Sequence, residues 1–123
     1  MKQSFFKSVK HAIEGIINTI KQERNMRIHI VMMILVIIFG LIFKISIYHW
    51  IVCFLLFALI LSSELVNTAL EAIVDLYIQD IHPLAKKAKD AAAGAVLISA
   101  IFAAIIGLII FIPYLLSYIE FFF

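Results

Sequence analysis

Three carboxylates and an amide stand in a largely apolar stretch of this chain: Glu64, Asn67, Glu71 and Asp75. At about 100° per residue, offsets of seven and eleven return to within roughly 20° of Glu64, and Asn67 lies about 60° away. All four therefore share one face of a helix. Ionisable side chains are expensive inside hydrocarbon and mark functional sites by default. If Trp50 marks one membrane interface, Glu64 lies about 21 Å further along at about 1.5 Å per residue, within the opposite leaflet. Glu71 then falls near the boundary and Asp75 beyond it. Buried at that depth, Glu64 has the setting of a proton acceptor.

Glu23 precedes another apolar stretch, with Arg24, Arg27 and His29 around it, and should reach the level of Glu71. Two carboxylates from different helices at one level suit a hard divalent cation, Mg²⁺ above others, bridged to phosphate oxygens. Lys89 and Asp90, expected to open the last helix, stand at that level too. Lys89 offers phosphate a point charge, and the free amides of a helix start favour an anion. Plainer readings exist beside these. Glu71, Asp75 and Asp90 could be interfacial charges, Lys86, Lys87 and Lys89 could only set topology, and Asn67 could simply hydrogen-bond across helices. His29 and His82 read as interfacial histidines rather than metal ligands. Glu64 is the exception, because a carboxylate without a task is hard to account for at its depth. No G-x-x-x-x-G-K-[ST] loop is present, and the four glycines form no phosphate cradle.

The elements that must position these residues follow from hydropathy. The chain has 123 residues, room for one domain, and 65% of them are hydrophobic against 15% charged, too little polar surface for a water-soluble fold. Three stretches are long and apolar enough to span about 30 Å of hydrocarbon: 28–47, 50–77 and 91–112, the last ending at Pro113. Lys44 snorkels near the end of the first. Tyr48, Trp50, Tyr114 and Tyr118 mark interfaces. Over 5–21, apolar residues recur at helical spacing with Lys7, Lys10, Glu14, Asn18 and Lys21 between them, which predicts an amphipathic helix in the cytoplasmic interface. Lys2, Lys7, Lys10, Lys21, Arg24 and Arg27 precede the first span, and Lys86, Lys87 and Lys89 lie between the second and third. Basic residues favour the cytoplasmic side, so the N-terminus and the 78–90 loop are expected there and the C-terminus outside. The first 27 residues are too charged for a secretory signal. Cys53 stands alone, so no disulfide framework is expected. Pro83 marks a short turn. Ala91, Ala95, Ser99, Ala103 and Gly107 form a row of small residues four apart, the pattern of close helix packing. Three spans enclose a charge poorly, so Glu64 is expected to lack a complete enclosure within one chain, which points to a homo-oligomer with shared sites. No nucleic-acid partner is expected.

The string Glu64-Leu65-Val66-Asn67-Thr68-Ala69-Leu70-Glu71-Ala72-Ile73-Val74-Asp75 closely resembles the signature of the prokaryotic diacylglycerol kinase family, E-x-x-N-[ST]-A-x-E-x-x-V-D. Ala88-Lys89-Asp90 with the small residues after it is similar to that family's second block, and Glu23 in Glu23-Arg24-Asn25-Met26-Arg27-Ile28-His29 fits a third. The run Ala91-Ala92-Ala93-Gly94-Ala95-Val96 departs from the Gram-negative members. With Asn25–His29 and His82–Lys86, it is similar to the Gram-positive undecaprenol kinase branch. The resemblance implies an all-α integral membrane homotrimer in the bacterial plasma membrane, with three transmembrane helices and an interfacial amphipathic helix per chain. It implies transfer of the γ-phosphoryl group of MgATP to a membrane lipid alcohol, undecaprenol first and diacylglycerol as the alternative. Glu64 would be the general base, and Glu23 and Glu71 would bind the Mg²⁺ carried by ATP. Asn67, Lys89 and Asp90 would position the nucleotide phosphates, and Asp80 and His82 would border the nucleotide. His11 stands where some members have an aromatic nucleotide contact. A reading from another class, a small proton-coupled transporter with Glu64 as relay, leaves Glu23 and Lys89-Asp90 without a role.

Overall fold

A computed structural model describes residues 4–78 and 80–123, so Lys2 of the basic N-terminal group and Gln79 lie outside the described residues. Four helices follow one another: α1 Phe5–Gln22, α2 Arg24–Phe43, α3 Ile47–Tyr77 and α4 Pro83–Phe122. The last three are long and apolar enough to cross a membrane. The most extensive packing is α3 on α4, with α2 lying against α3 and α1 against the start of α2.

Several helix limits differ from the expected windows, each for a local reason. The first window ran to residue 47, but α2 stops at Phe43 because Lys44 takes the left-handed conformation (φ 52°, ψ 53°) and returns its N–H to the Gly40 carbonyl. Ser46 then opens α3, its Oγ accepting the His49 N–H at 3.4 Å. The last window began at 91, with a turn at Pro83; α4 instead starts at Pro83 itself. Proline suits a first helical position because its missing N–H has no intrahelical acceptor there, and His82 Nδ1 accepts the Leu84 N–H at 3.1 Å. Lys86, Lys87 and Lys89 are therefore helical rather than in a loop. Pro113 was expected to end this helix, but α4 runs through it to Phe122. The turn beyond the proline is held from outside: Tyr114 Oη accepts the Ser46 N–H at 3.0 Å and lies 2.8 Å from His49 Nδ1.

Buried residues divide by chemistry along the bundle. Ile45, Cys53 and Ile110 form an apolar cluster at the α2–α3 turn, with Phe43, Trp50 and Phe111 packed around it. Toward the other end Met26 is buried among polar residues, Thr19, Glu64, Asn67 and Ser99. Such an arrangement suits a chain whose outer faces meet lipid, where polar groups must find their partners inside. Ser99 belongs to the row of small residues; its Oγ lies 3.3 Å from Ser63 Oγ and donates to the Ala95 carbonyl at 3.0 Å, so part of that row brings α4 close to α3 within one chain.

The turn depends on Gly40. A Cβ added there would meet the Trp50 ring at 2.6 and 2.8 Å, so the indole lies where any larger residue would have to be. Gly40→Ala should lower stability in detergent micelles by about 1–3 kcal/mol through overpacking, despite alanine's higher helix propensity. Gly15→Ala, where a Cβ meets nothing within 4 Å, should not. Thermal unfolding of both variants followed by circular dichroism checks this.

Candidate active site

Glu64 is 1% exposed, so a single chain encloses it almost completely. This corrects the expectation that three spans would leave it open. The enclosure comes from where the helices cross: α2 brings His29, whose Nε2 lies 3.7 Å from Glu64 Oε2, and α4 brings Val96, Leu97 and Ala100. Glu64 Oε2 itself is buried and has no hydrogen-bond partner among the described residues. His29, Glu23 and Glu71 are the ionisable neighbours whose charges reach it.

Asn67 stands one turn along α3 and is also buried. Its Nδ2 donates to Glu71 Oε1 at 3.4 Å, while its Oδ1, like the Thr68 hydroxyl, is buried without a partner. Glu71 is half-buried. Glu23 forms the whole link between α1 and α2. Its backbone is extended, its N–H returns to the Thr19 carbonyl at 2.8 Å, and its side chain caps neither helix. Arg27 closes this elbow by donating from Nη1 to the Ile20 and Lys21 carbonyls at 3.0 and 2.8 Å. Those carbonyls belong to the otherwise unsatisfied end of α1. The sequence set Arg27 near Glu23 and among the topogenic charges, but gave it no bonding partner.

The structure thus sets His29 beside Glu64 and pairs Asn67 with Glu71, with Glu23 and Glu71 near enough for their charges to reach Glu64. Cationic residues sit further out. Lys89 Nζ bonds Asp75 Oδ1 at 2.5 Å, joining α4 to α3, and Lys86 Nζ bonds Asp90 Oδ2 at 2.5 Å along α4. Because α4 begins at Pro83, the amides at Lys89 are already inside the helix, and no free helix start faces an anion there. The helix start lies instead at His82, whose ring is engaged as its cap. Asp80 and His82 are both exposed in the connection from α3.

The donor set can be tested for a divalent cation. Among the described residues no three His, Cys, Asp or Glu side chains gather at one point. Mg²⁺ characteristically takes one or two carboxylates and completes its shell with water and substrate phosphates. Two carboxylates, Glu23 and Glu71, are a donor set of that kind, and Asn67 is hydrogen-bonded to the second of them.

Two substitutions separate the elbow from the outer ion pair. Asp75→Asn should leave the thermal midpoint in micelles unchanged, because exposed ion pairs contribute little. Arg27→Gln should lower it measurably, since two helix-end carbonyls lose their donor.

The sequence model of the prokaryotic diacylglycerol kinase family matches residues 10–111. The undecaprenol kinase of Bacillus subtilis is 50% identical over 109 residues, covering 89% of each chain. A diacylglycerol kinase of Synechocystis is 41% identical over 111 residues, 89% of this chain and 63% of that one. A diacylglycerol kinase of Helicobacter pylori is 54% identical over 43 residues, about a third of each. With a matching family model over most of its length and relatives of this identity, the chain belongs to the prokaryotic diacylglycerol kinase family, and with it to the ATP-dependent lipid kinases.

Proposed function

We propose that this lipid kinase transfers the γ-phosphoryl group of MgATP to undecaprenol, giving undecaprenyl phosphate. The observation that carries the mechanism is the buried, unpartnered Oε2 of Glu64, beside His29 and within reach of the charges of Glu23 and Glu71. Undecaprenol as the acceptor rests on the 50% identity to the Bacillus subtilis undecaprenol kinase.

In this reading Glu64 is the general base. The lipid O–H bond breaks with its proton passing to Glu64 Oε2, and the freed oxygen forms a bond to the γ-phosphorus. The bond from that phosphorus to the β–γ bridging oxygen breaks, and ADP leaves. Such transfer needs alignment and charge neutralisation more than covalent help from the protein. Asn67 holds Glu71 in place through its amide. Glu23 and Glu71 would hold Mg²⁺, which when bound neutralises phosphate charge. Lys89, in an exposed and therefore weak pair with Asp75, can exchange that carboxylate for a phosphate oxygen, and Asp90 holds Lys86 nearby. Asp80 and His82 border the nucleotide.

The distribution of basic residues supports a cytoplasmic N-terminus and α3–α4 connection. The α1 helix lies in that interface as an amphipathic helix: Phe5, Phe6, Ile13 and Ile17 are exposed on it, free to enter the lipid surface. The working unit is a homotrimer. Ala91 and Ala95 of the small-residue row are exposed, and among the described residues nothing lies within 4 Å of where a Cβ at Gly94 would be, which leaves that part of α4 open to a neighbouring helix.

Glu64→Gln should lower kcat by about 10²–10⁴-fold, the usual contribution of a general base, with MgATP binding and thermal midpoint preserved. Full activity in that variant would remove Glu64 from this role. Glu71→Gln should instead raise the KM for MgATP, and an unchanged nucleotide response would count against the metal assignment. Radiolabelled phosphate transfer from ATP to undecaprenol and to diacylglycerol, in mixed micelles at matched mole fraction, should favour undecaprenol. The reverse order would make diacylglycerol the main substrate.

A further inference from the structure

The end of α1 is completed by residues that follow it in the chain. Thr19, Ile20 and Lys21 carry three of its last four carbonyls, which an α-helix leaves without intrahelical donors. The Glu23 N–H donates to the first at 2.8 Å, and Arg27 Nη1 donates to the other two at 3.0 and 2.8 Å. Thr19 and Met26, on either side of Glu23, are both buried, so the bend is packed as well as bonded. Glu23 is the one residue between the two helices. The angle at which α1 meets α2 therefore decides where its carboxylate goes.

Arg27 stands one turn beyond Glu23, its own N–H returning to the Glu23 carbonyl at 3.4 Å. A glutamate followed four positions later by a cation is a favourable arrangement for an ion pair. Here the guanidinium turns to the α1 carbonyls instead, and among the described residues Glu23 forms no ion pair. The bonds that fix the bend thus also keep the nearest guanidinium engaged away from the carboxylate.

We propose that Arg27 is a positioning residue for the divalent cation: by bonding the end of α1 it sets the place of the Glu23 carboxylate and leaves that carboxylate free for the metal. The proposal rests on the reading of Glu23 as a ligand of the cation carried by ATP. Arg27 touches neither metal nor nucleotide in this role. A ligand held in place beforehand has less freedom to lose on binding. Partners that orient a metal ligand account for about 10–100-fold in affinity. Without the guanidinium, α1 can take other angles to α2, and the Glu23 carboxylate is spread over more positions.

The test uses the full-length protein in detergent micelles, without turnover. Electron paramagnetic resonance reads binding of the Mn²⁺ complex of a non-hydrolysable ATP analogue, well below the thermal midpoint of each variant. Arg27→Gln should raise the Kd of that complex by about tenfold, while the KM for undecaprenol in the kinase assay stays put. Glu23→Gln should raise the Kd at least as far. In the double variant the two losses should not add, because Arg27 acts through Glu23. An unchanged Kd in Arg27→Gln overturns the proposal, as do losses that add or a lipid KM that rises in step with the Kd. Should Arg27→Gln not fold, Arg27→Lys puts the same question. Its shorter head cannot span both carbonyls, so the Kd should again rise, and no change there overturns the proposal. An unchanged Kd in Glu23→Gln instead defeats the reading of Glu23 as a ligand, and the proposal with it.

Discussion

Removing the Glu64 carboxylate from water is the constraint on which the rest of the fold turns. A carboxylate buried in a membrane interior is unfavourable unless its surroundings answer it with charge or hydrogen bonds. Here the answer is partial. His29 approaches one oxygen without bonding it, and further carboxylates stand near enough for their charges to matter. Three helices from one chain must cross close together to build such a place, and the small residues of α4, with Ser99 against Ser63, allow the approach.

That crossing is held from its far end. The apolar cluster around Ile45, Cys53 and Ile110, the Trp50 ring on Gly40 and the Tyr114 bonds to the α3 start lock the α2–α3 turn against α4. Stability is thus concentrated away from the polar half, where buried Asn67 and Thr68 atoms lack partners. Unanswered polar groups are tolerated where a ligand is to supply the missing bonds. In a lipid kinase the two ligands arrive from different phases, and the polar half is where those phases meet.

The three spans were legible because long apolar runs have few alternatives at this composition, and the Glu64–Asp75 face followed from helical periodicity alone. Helix limits were less so. The left-handed Lys44 and the start at Pro83 are local backbone choices, the latter visible in hindsight from proline's preference for a first turn. Continuation through Pro113 was not readable, because Tyr114 secures the next turn by bonds to residues 65 and 68 positions away in the chain. The same limit hid the histidine. His29 sits a few residues after a basic cluster and so reads as interfacial, and only the crossing of α2 with α3 brings it to Glu64. The Lys89–Asp75 pair was out of reach for the same reason, since each residue alone looks like a surface charge.

A single residue, Glu23, separates α1 from α2, and Arg27 clamps the joint by gripping the last carbonyls of α1. There is no slack in that connection. A rotation of α1 has no loop to dissipate in, so it acts as a lever whose short arm carries the Glu23 carboxylate. The enclosed Glu64, braced on three helices, has no comparable arm. Mechanical disturbance at the membrane surface would therefore be felt first by the carboxylate of the hinge and last by the base.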